Sequence, residues 1–202
     1  MSEIGKGRVE RSRSVDHPTP EVIAATTGGS RGPETGNSRP TVREADSNDA
    51  AALAEFIRMA WNESGADAPG FAGATDEIID EVARTESIRA RLGTADRRMF
   101  IAVRDDDVVG FAATRRLDDA LVELAGIVVR ASESGSGIGS ALVHAAVVTA
   151  RHDGSERIVV RTETSNSRAI GFYEALGFGF DRCSTEHVEG TDVEVAELSR
   201  AV

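Results

Sequence analysis

The run ESGSGIGSAL, residues 133–142, places glycine at positions 135, 137 and 139, directly before an aliphatic, helix-like stretch. Glycine costs roughly 0.5–1 kcal/mol against alanine inside a regular element, so three of them need an offsetting role. The first N–H groups of a helix have no internal partner, and the helix dipole is positive there. Glycines remove the Cβ atoms that would hold a pyrophosphate away from those groups. The loop 134–140 therefore has the composition of a phosphate cradle. A dinucleotide fingerprint would need glycine where Ser140 stands, and the Gly-Lys-Ser/Thr of a Walker loop is absent. A glycine-rich turn that only caps a helix also fits the loop taken alone.

Two further side chains have chemistry to offer. Glu123 sits in ALVELAGIVV, a mostly apolar strand pattern. Burying a carboxylate unpaired is costly, and burial raises its pKa toward that of a general base. With a period of two, Glu123 is expected on the same face as Ala125, Ile127 and Val129. A salt bridge or an exposed strand position is the plainer alternative. Tyr173 is the only tyrosine. A phenol is neutral at pH 7 and can donate a proton, although a tyrosine in a helix core needs no such role. Asn166 opens the same helix, where it can cap, contact a ligand, or both. No set of His, Cys, Asp and Glu has metal-ligand spacing, so no metal is expected. Cys183 is the single cysteine, which excludes an intrachain disulfide, and is expected to be a small buried hydrophobe.

The elements that must position these groups follow from periodicity and turn residues. TVREA reads as a strand. Asp46 or Ser47 caps a helix carrying Ala51, Leu53, Phe56 and Ile57, and NESGADAPGFAGA is a loop. Thr75 caps a second helix through Ile79, Val82 and Ile88. MFIAV and VVGFAATRR, around RDDD, read as a hairpin. Then come a strand at 120–129, the glycine loop, a helix from about Ile138 to Arg151, and a strand at 157–163. SNSRAIGFYEAL is a helix, and GFGFDRCS and VEVAELS are closing strands. The order βααβββαβαββ is that of a mixed α/β layer.

The chain of 202 residues is 40% hydrophobic, enough for one domain with a core plus a tail. Residues 1–39 are rich in Gly, Ser, Thr, Pro and charge and are expected to be a disordered tail, with a single domain over 40–202. No apolar run reaches the ~18 residues of a spanning helix, and the first residues lack the apolar core of a secretory leader. A cytoplasmic location without membrane contact is expected, as monomer or homodimer. The net charge is −11; residues 1–40 carry six basic and five acidic residues, leaving +1 there and −12 on the remainder. So acidic a domain is a poor nucleic-acid binder. Lys6 is the only lysine beside 22 arginines. A salt-adapted host and a GC-rich genome both explain that bias.

GIVVRASESGSGIGSALV resembles motif A of the GNAT superfamily of N-acetyltransferases, in which a strand ending in valine leads into R/Q-x-x-G-x-G/A and a helix. NSRAIGFYEALGF, residues 166–178, resembles motif B of the same superfamily, and VRDDDVVGFAA is similar to its hairpin of second and third strands. The resemblance covers about residues 41–199. One position departs from the pattern: Ser134 stands where the family has Arg or Gln. The main-chain cradle is kept there, and a side-chain contact is lost.

The resemblance implies an α/β fold with a mixed, mostly antiparallel central sheet flanked by helices, in which parallel strands 4 and 5 splay apart. It implies acetyl-CoA as donor. The pyrophosphate would rest on Ser134, Gly135, Ser136, Gly137, Ile138, Gly139 and Ser140. Pantetheine would pair with the main chain of Ile127, Val128 and Val129 and touch Asn166. The Val129 amide would face the oxyanion, Tyr173 would protonate the leaving thiolate, and Glu123, acting through water, would take the proton of the amine. The acceptor would be a primary amine of a small molecule or of a protein N-terminus; the acidic surface favours a cationic one. A non-catalytic acyl-CoA-binding module would share the cradle without needing Glu123 or Tyr173, and a nucleotide-binding protein could use the same loop. Because residues 1–39 carry little apolar surface and no motif, a chain starting at Pro40 should keep both its melting temperature and its acetyl-CoA-induced thermal shift. Loss of either would mean that the tail packs on the domain or reaches its cleft.

Overall fold

A computed structural model of the protein describes residues 38–64, 75–188 and 191–202. The expected tail, apart from Ser38 and Arg39, and most of the loop between the first helices lie outside the described residues. In chain order the elements are β1 (Thr41–Glu44), α1 (Ala50–Ser64), α2 (Asp76–Val82), α3 (Thr85–Leu92), β2 (Arg97–Arg104), β3 (Asp107–Arg116), β4 (Leu121–Val129), α4 (Ile138–His152), β5 (Arg157–Glu163), α5 (Ser167–Ala175), β6 (Gly179–Val188) and β7 (Thr191–Ala201).

Local chemistry sets the boundaries. Asp46 heads α1 through a short 3-10 turn as a capping box: its side chain accepts from Asn48 N–H at 2.7 Å, and Asp49 accepts from Asp46 N–H at 2.8 Å. Arg43 of β1 clamps Asp49 with two bonds of 2.7 Å, which hold the Asp49 carboxyl below its usual range. Leu53, Phe56 and Ile57 are buried as expected, whereas Ala51 is exposed. The helix expected from Thr75 is two helices. Thr75 caps α2, but the chain turns at Ala83 and is extended at Arg84 before α3 begins. Asp105 and Asp106, both with positive φ (51° and 69°), close the β2–β3 hairpin. Two such residues match the twist of the flanking strands, and aspartate tolerates the conformation.

The seven strands form one sheet in the order β1-β2-β3-β4-β5-β7-β6, antiparallel except for β4 and β5. α4 and α5 cover one face, over Phe100, Leu124, Ile158 and Leu198; α1, α2 and α3 cover the other, over Met99, Ile101 and Phe111. Cys183 lies exposed on the edge strand β6 rather than buried.

β4 carries the feature on which the site depends. Thr114 is paired with Leu124 and Ala113 with Gly126, so Ala125 is an extra residue with no counterpart on β3. The bulge reverses the alternation. Val122 and Leu124 face the α4–α5 layer, and so does Ile127, with Val129 packed against it. Glu123 is therefore on the face opposite to Ile127 and Val129, contrary to the unbroken period-two expectation.

α4 lies close to the sheet at Gly110 of β3. A Cβ there would meet Ile138 Cγ2 and the Val128 carbonyl oxygen at 3.1 Å and Leu142 Cδ1 at 3.2 Å. Backbone on one side and fully buried side chains on the other leave little room to yield. Gly110→Ala should lower the unfolding free energy by about 1–3 kcal/mol in urea titration. An unchanged midpoint would show that α4 can ride away from the sheet at no cost.

Candidate active site

β4 and β5 pair only over Leu121–Leu124 against Arg157–Val160. Beyond that, no strand among the described residues pairs with residues 125–129 on the β5 side. Antiparallel neighbours alternate between bonded and non-bonded pairs. Arg130 N–H donates to the Val109 carbonyl at 2.9 Å, across the Gly110–Val129 pair. Val129 thus belongs to a non-bonded pair, and its own N–H and C=O point away from β3, into the gap. Ile127 does the same. Val128 is turned toward β3, so the main chain of the middle residue of the expected trio is already engaged. On the β5 wall, Thr162 is fully buried and its hydroxyl has no hydrogen-bond partner. The unpaired main-chain groups of Ile127 and Val129 suit an extended, amide-bearing molecule.

The gap leads to the glycine loop. Gly135 (φ 78°) and Gly137 (φ 85°) are left-handed, and a Cβ on either would point into open space. Gly137 is the N-cap of α4. The first intrahelical bond runs from Ala141 N–H to the Gly137 carbonyl at 3.0 Å, so the N–H groups of Ile138, Gly139 and Ser140 have no partner within the helix. The Ile138 side chain itself is core. Gly139 serves packing: a Cβ there would approach Phe172 Cζ at 3.3 Å. The Ser136 hydroxyl folds back onto the Glu133 carbonyl at 2.5 Å. Ser134 Oγ accepts from Arg168 Nη2 of α5 at 3.0 Å. The Glu133 carboxylate, at the head of the loop, is paired with Arg104 at 2.7 Å.

α5 brings in the other two expected residues. Asn166 is its N-cap, buried, with the side-chain oxygen accepting from Ala169 N–H at 3.0 Å. Tyr173 is 1% exposed, with its ring edge-on to Phe172 at 5.2 Å and tilted against Phe178 at 5.6 Å. Burial pushes its phenol above the ordinary tyrosine range, so it stays protonated well into alkaline solution.

This geometry has relatives. The sequence matches the acetyltransferase (GNAT) family over residues 58–178. The chain belongs to that family. An uncharacterized N-acetyltransferase of Mycobacterium bovis is 34% identical over 110 residues, which is 52% of this chain and 70% of the relative. The fold is shared with yncA of Salmonella typhimurium, solved with its cofactor acetyl-CoA, at a TM-score of 0.62 and 22% identity over 81% of this chain and 94% of that one. It is shared equally with the ribosomal-protein-S18-alanine N-acetyltransferase of Escherichia coli, at a TM-score of 0.61 and 16% identity over 81% and 94%. This acetyltransferase is thus an acyl-transferring enzyme, with parallel strands splayed beside a glycine loop.

The remaining expected residue of the acetyltransferase is placed differently from its expectation. Glu123 is buried, at 4% exposed, but not unpaired. Arg115 of β3 donates to Oε2 at 2.5 and 3.1 Å, and Arg161 of β5 donates to Oε1 at 2.5 and 2.8 Å. Arg161 also reaches Glu186 of β6 at 2.9 Å. Burial alone would lower the Arg161 pKa; the charge and hydrogen bonds of Glu123, with Glu186 behind, outweigh that and hold it above its usual value. The two arginines were missed in the sequence, although each is a charge at the end of an apolar strand run and both flank the strand that holds Glu123. On this same face, α1, α2 and α3 leave a mostly apolar cavity over the bulge, lined by Ile57, Ile88, Met99, Phe111, Ala125 and Gly126 among others. Among the described residues, no group of three or more His, Cys, Asp or Glu is placed to hold a metal ion.

The left-handed Gly137 yields a direct test of the loop. Gly137→Val puts a branched side chain into the open space before α4, in a conformation that L residues adopt at about 1–2 kcal/mol. The acetyl-CoA-induced thermal shift should be lost while the unliganded fold melts only slightly earlier. A retained shift would place the pyrophosphate elsewhere.

Proposed function

We propose that this enzyme moves an acetyl group from acetyl-CoA to the primary amine of a small molecule or a protein N-terminus. The observation that carries this reading is the proximity of two features: the unpaired main-chain groups of Ile127 and Val129 lie at the end of β4, and the start of α4, whose first N–H groups have no partner within the helix, stands beside them, a Cβ on Gly139 being 3.8 Å from Val129 Cγ2. Acetyl-CoA, when bound, would supply an activated acetyl thioester. The main chain from Ser134 to Ser140 would hold its pyrophosphate. Ile127 and Val129 would pair with its amides as an added strand does. The Asn166 side-chain oxygen is used by the cap, which leaves its amide N–H to donate. The Val129 N–H is the donor for the acetyl carbonyl oxygen. Tyr173, kept protonated by burial, is the donor for the departing sulfur.

The acceptor would enter on the α1–α3 face, past the cavity over the bulge. A net charge of −11 favours a cationic amine over an anionic one. The Escherichia coli neighbour, by its name, acts on the alanine of a ribosomal protein, which keeps protein N-termini among the acceptor classes. We infer that the reaction takes place in the cytoplasm.

Glu123 has two roles to separate. Its position on the acceptor face supports deprotonation of the amine through water. Its two guanidinium partners favour a structural role, because both of its oxygens are already engaged, one by each arginine. An acceptor screen that reads CoA release from acetyl-CoA comes first; an enzyme inert to a broad amine panel would remove the catalytic reading. With an acceptor in hand, Tyr173→Phe should bind acetyl-CoA normally and lose about 10²–10⁴-fold in kcat, with no recovery at higher pH. If Glu123 is the base, the Glu123→Gln defect in kcat/KM shrinks as pH rises and the amine deprotonates unaided. If it is a clamp, the defect is independent of pH and accompanies a loss of stability of about 3–5 kcal/mol.

A further inference from the structure

We propose that Arg168 provides the pyrophosphate of CoA with the guanidinium contact that the glycine loop of this chain cannot make. This rests on the acetyl-CoA reading above. Position 134, at the head of the loop, carries only a hydroxyl. That hydroxyl does not stand alone: Arg168 Nη2 donates to Ser134 Oγ at 3.0 Å. A guanidinium has thus been brought to the head of the loop from a different element, α5. Its five N–H donors lie in a planar fork, which can hold a serine oxygen and the oxygens of an anion together.

Three further observations fit an anion at this point. Arg168 is exposed, and it is the second residue of a helix fixed at its start by the buried Asn166 cap, so its mount is rigid. The nearby carboxylate of Glu133, which would repel phosphate, is paired with Arg104 at 2.7 Å. Gly135 and Gly137 leave open space beside them, where a Cβ meets nothing within 4 Å. The role of a loop side chain is therefore split here between a small residue that orients the guanidinium and a helix residue that carries the charge.

The test is calorimetric titration of coenzyme A and of 3′-dephospho-CoA into the full chain, as wild type, Arg168→Ala, and the double variant Ser134→Arg with Arg168→Ala. Losing a hydrogen bond to a charged group corresponds to about a ten- to hundredfold change in affinity. Arg168→Ala should weaken both ligands by that factor and by the same factor. Ser134→Arg in the Arg168→Ala background should restore most of the loss, which a merely structural role for Arg168 would not allow. Unchanged affinity of Arg168→Ala for CoA would overturn the proposal. So would a penalty that vanishes with 3′-dephospho-CoA, since that would put Arg168 on the ribose phosphate. A wild type that binds no CoA would overturn the acetyl-CoA reading itself, and that outcome is distinct from a binding wild type whose affinity is indifferent to Arg168.

Discussion

Pairing between β4 and β5 stops after four residues, at Leu124 and Val160, and the site is arranged around that interruption. A parallel strand pair normally continues while both strands stay extended. Here the extra residue Ala125 turns β4 just past the last pair, while β5 continues straight along β7 from Arg157 to Glu163. The main chain from 126 to 129 stays paired with β3 and has no partner among the described residues on the other edge. Backbone groups buried without partners are destabilising, so such an edge persists when a ligand or water satisfies it. The same bulge sends Ile127 and Val129 onto the α4–α5 side, which aligns the end of β4 with the glycine loop and the start of α4.

The strands need to be held where they are about to part. Arg115, Glu123, Arg161 and Glu186 lie on β3, β4, β5 and β6 and form one chain of ion pairs across the sheet, at the last paired residues. Burying the Glu123 carboxylate, whose side chain is 5% exposed, costs several kcal/mol before any attraction is counted. A hydrophobic set of equal volume would often be as stable. What the charged set adds is direction: each oxygen of Glu123 accepts from one guanidinium, Oε2 from Arg115 and Oε1 from Arg161, which resists both sliding and rotation of the strands. The opening is thereby bounded by a rigid hinge line rather than by a frayed edge.

Much of this was legible in the sequence, and the exceptions share a cause. The glycine loop, α4, the Asp105–Asp106 hairpin and the Thr75 cap are set by residues close together in the chain, and each sits where its chemistry puts it. The bulge is not local in that sense. LVELAGIVV offers only Gly126 as a weak signal, and the extra residue becomes visible once β3 is laid beside it. The arginine partners of Glu123 depend on strand register, which no run of residues in one strand specifies. The break between α2 and α3 falls at Ala83–Arg84, with neither glycine nor proline to mark it. Cys183 reads as a small apolar residue, and what decides its exposure is that β6 is an outer strand.

The insertion of β7 between β5 and β6 constrains the order of assembly. β6 is made before β7, yet it has no place in the sheet until β7 has docked on β5. One edge of β5 must therefore wait for β7, with α5 and β6 lying between the two strands in the chain. Contacts between strands so far apart in sequence form slowly, because the entropy of closing the loop is lost before the pairing is gained. Until then, β5 presents an open hydrogen-bonding edge over the apolar run Ile158–Val160, the kind of surface through which nascent chains associate with one another.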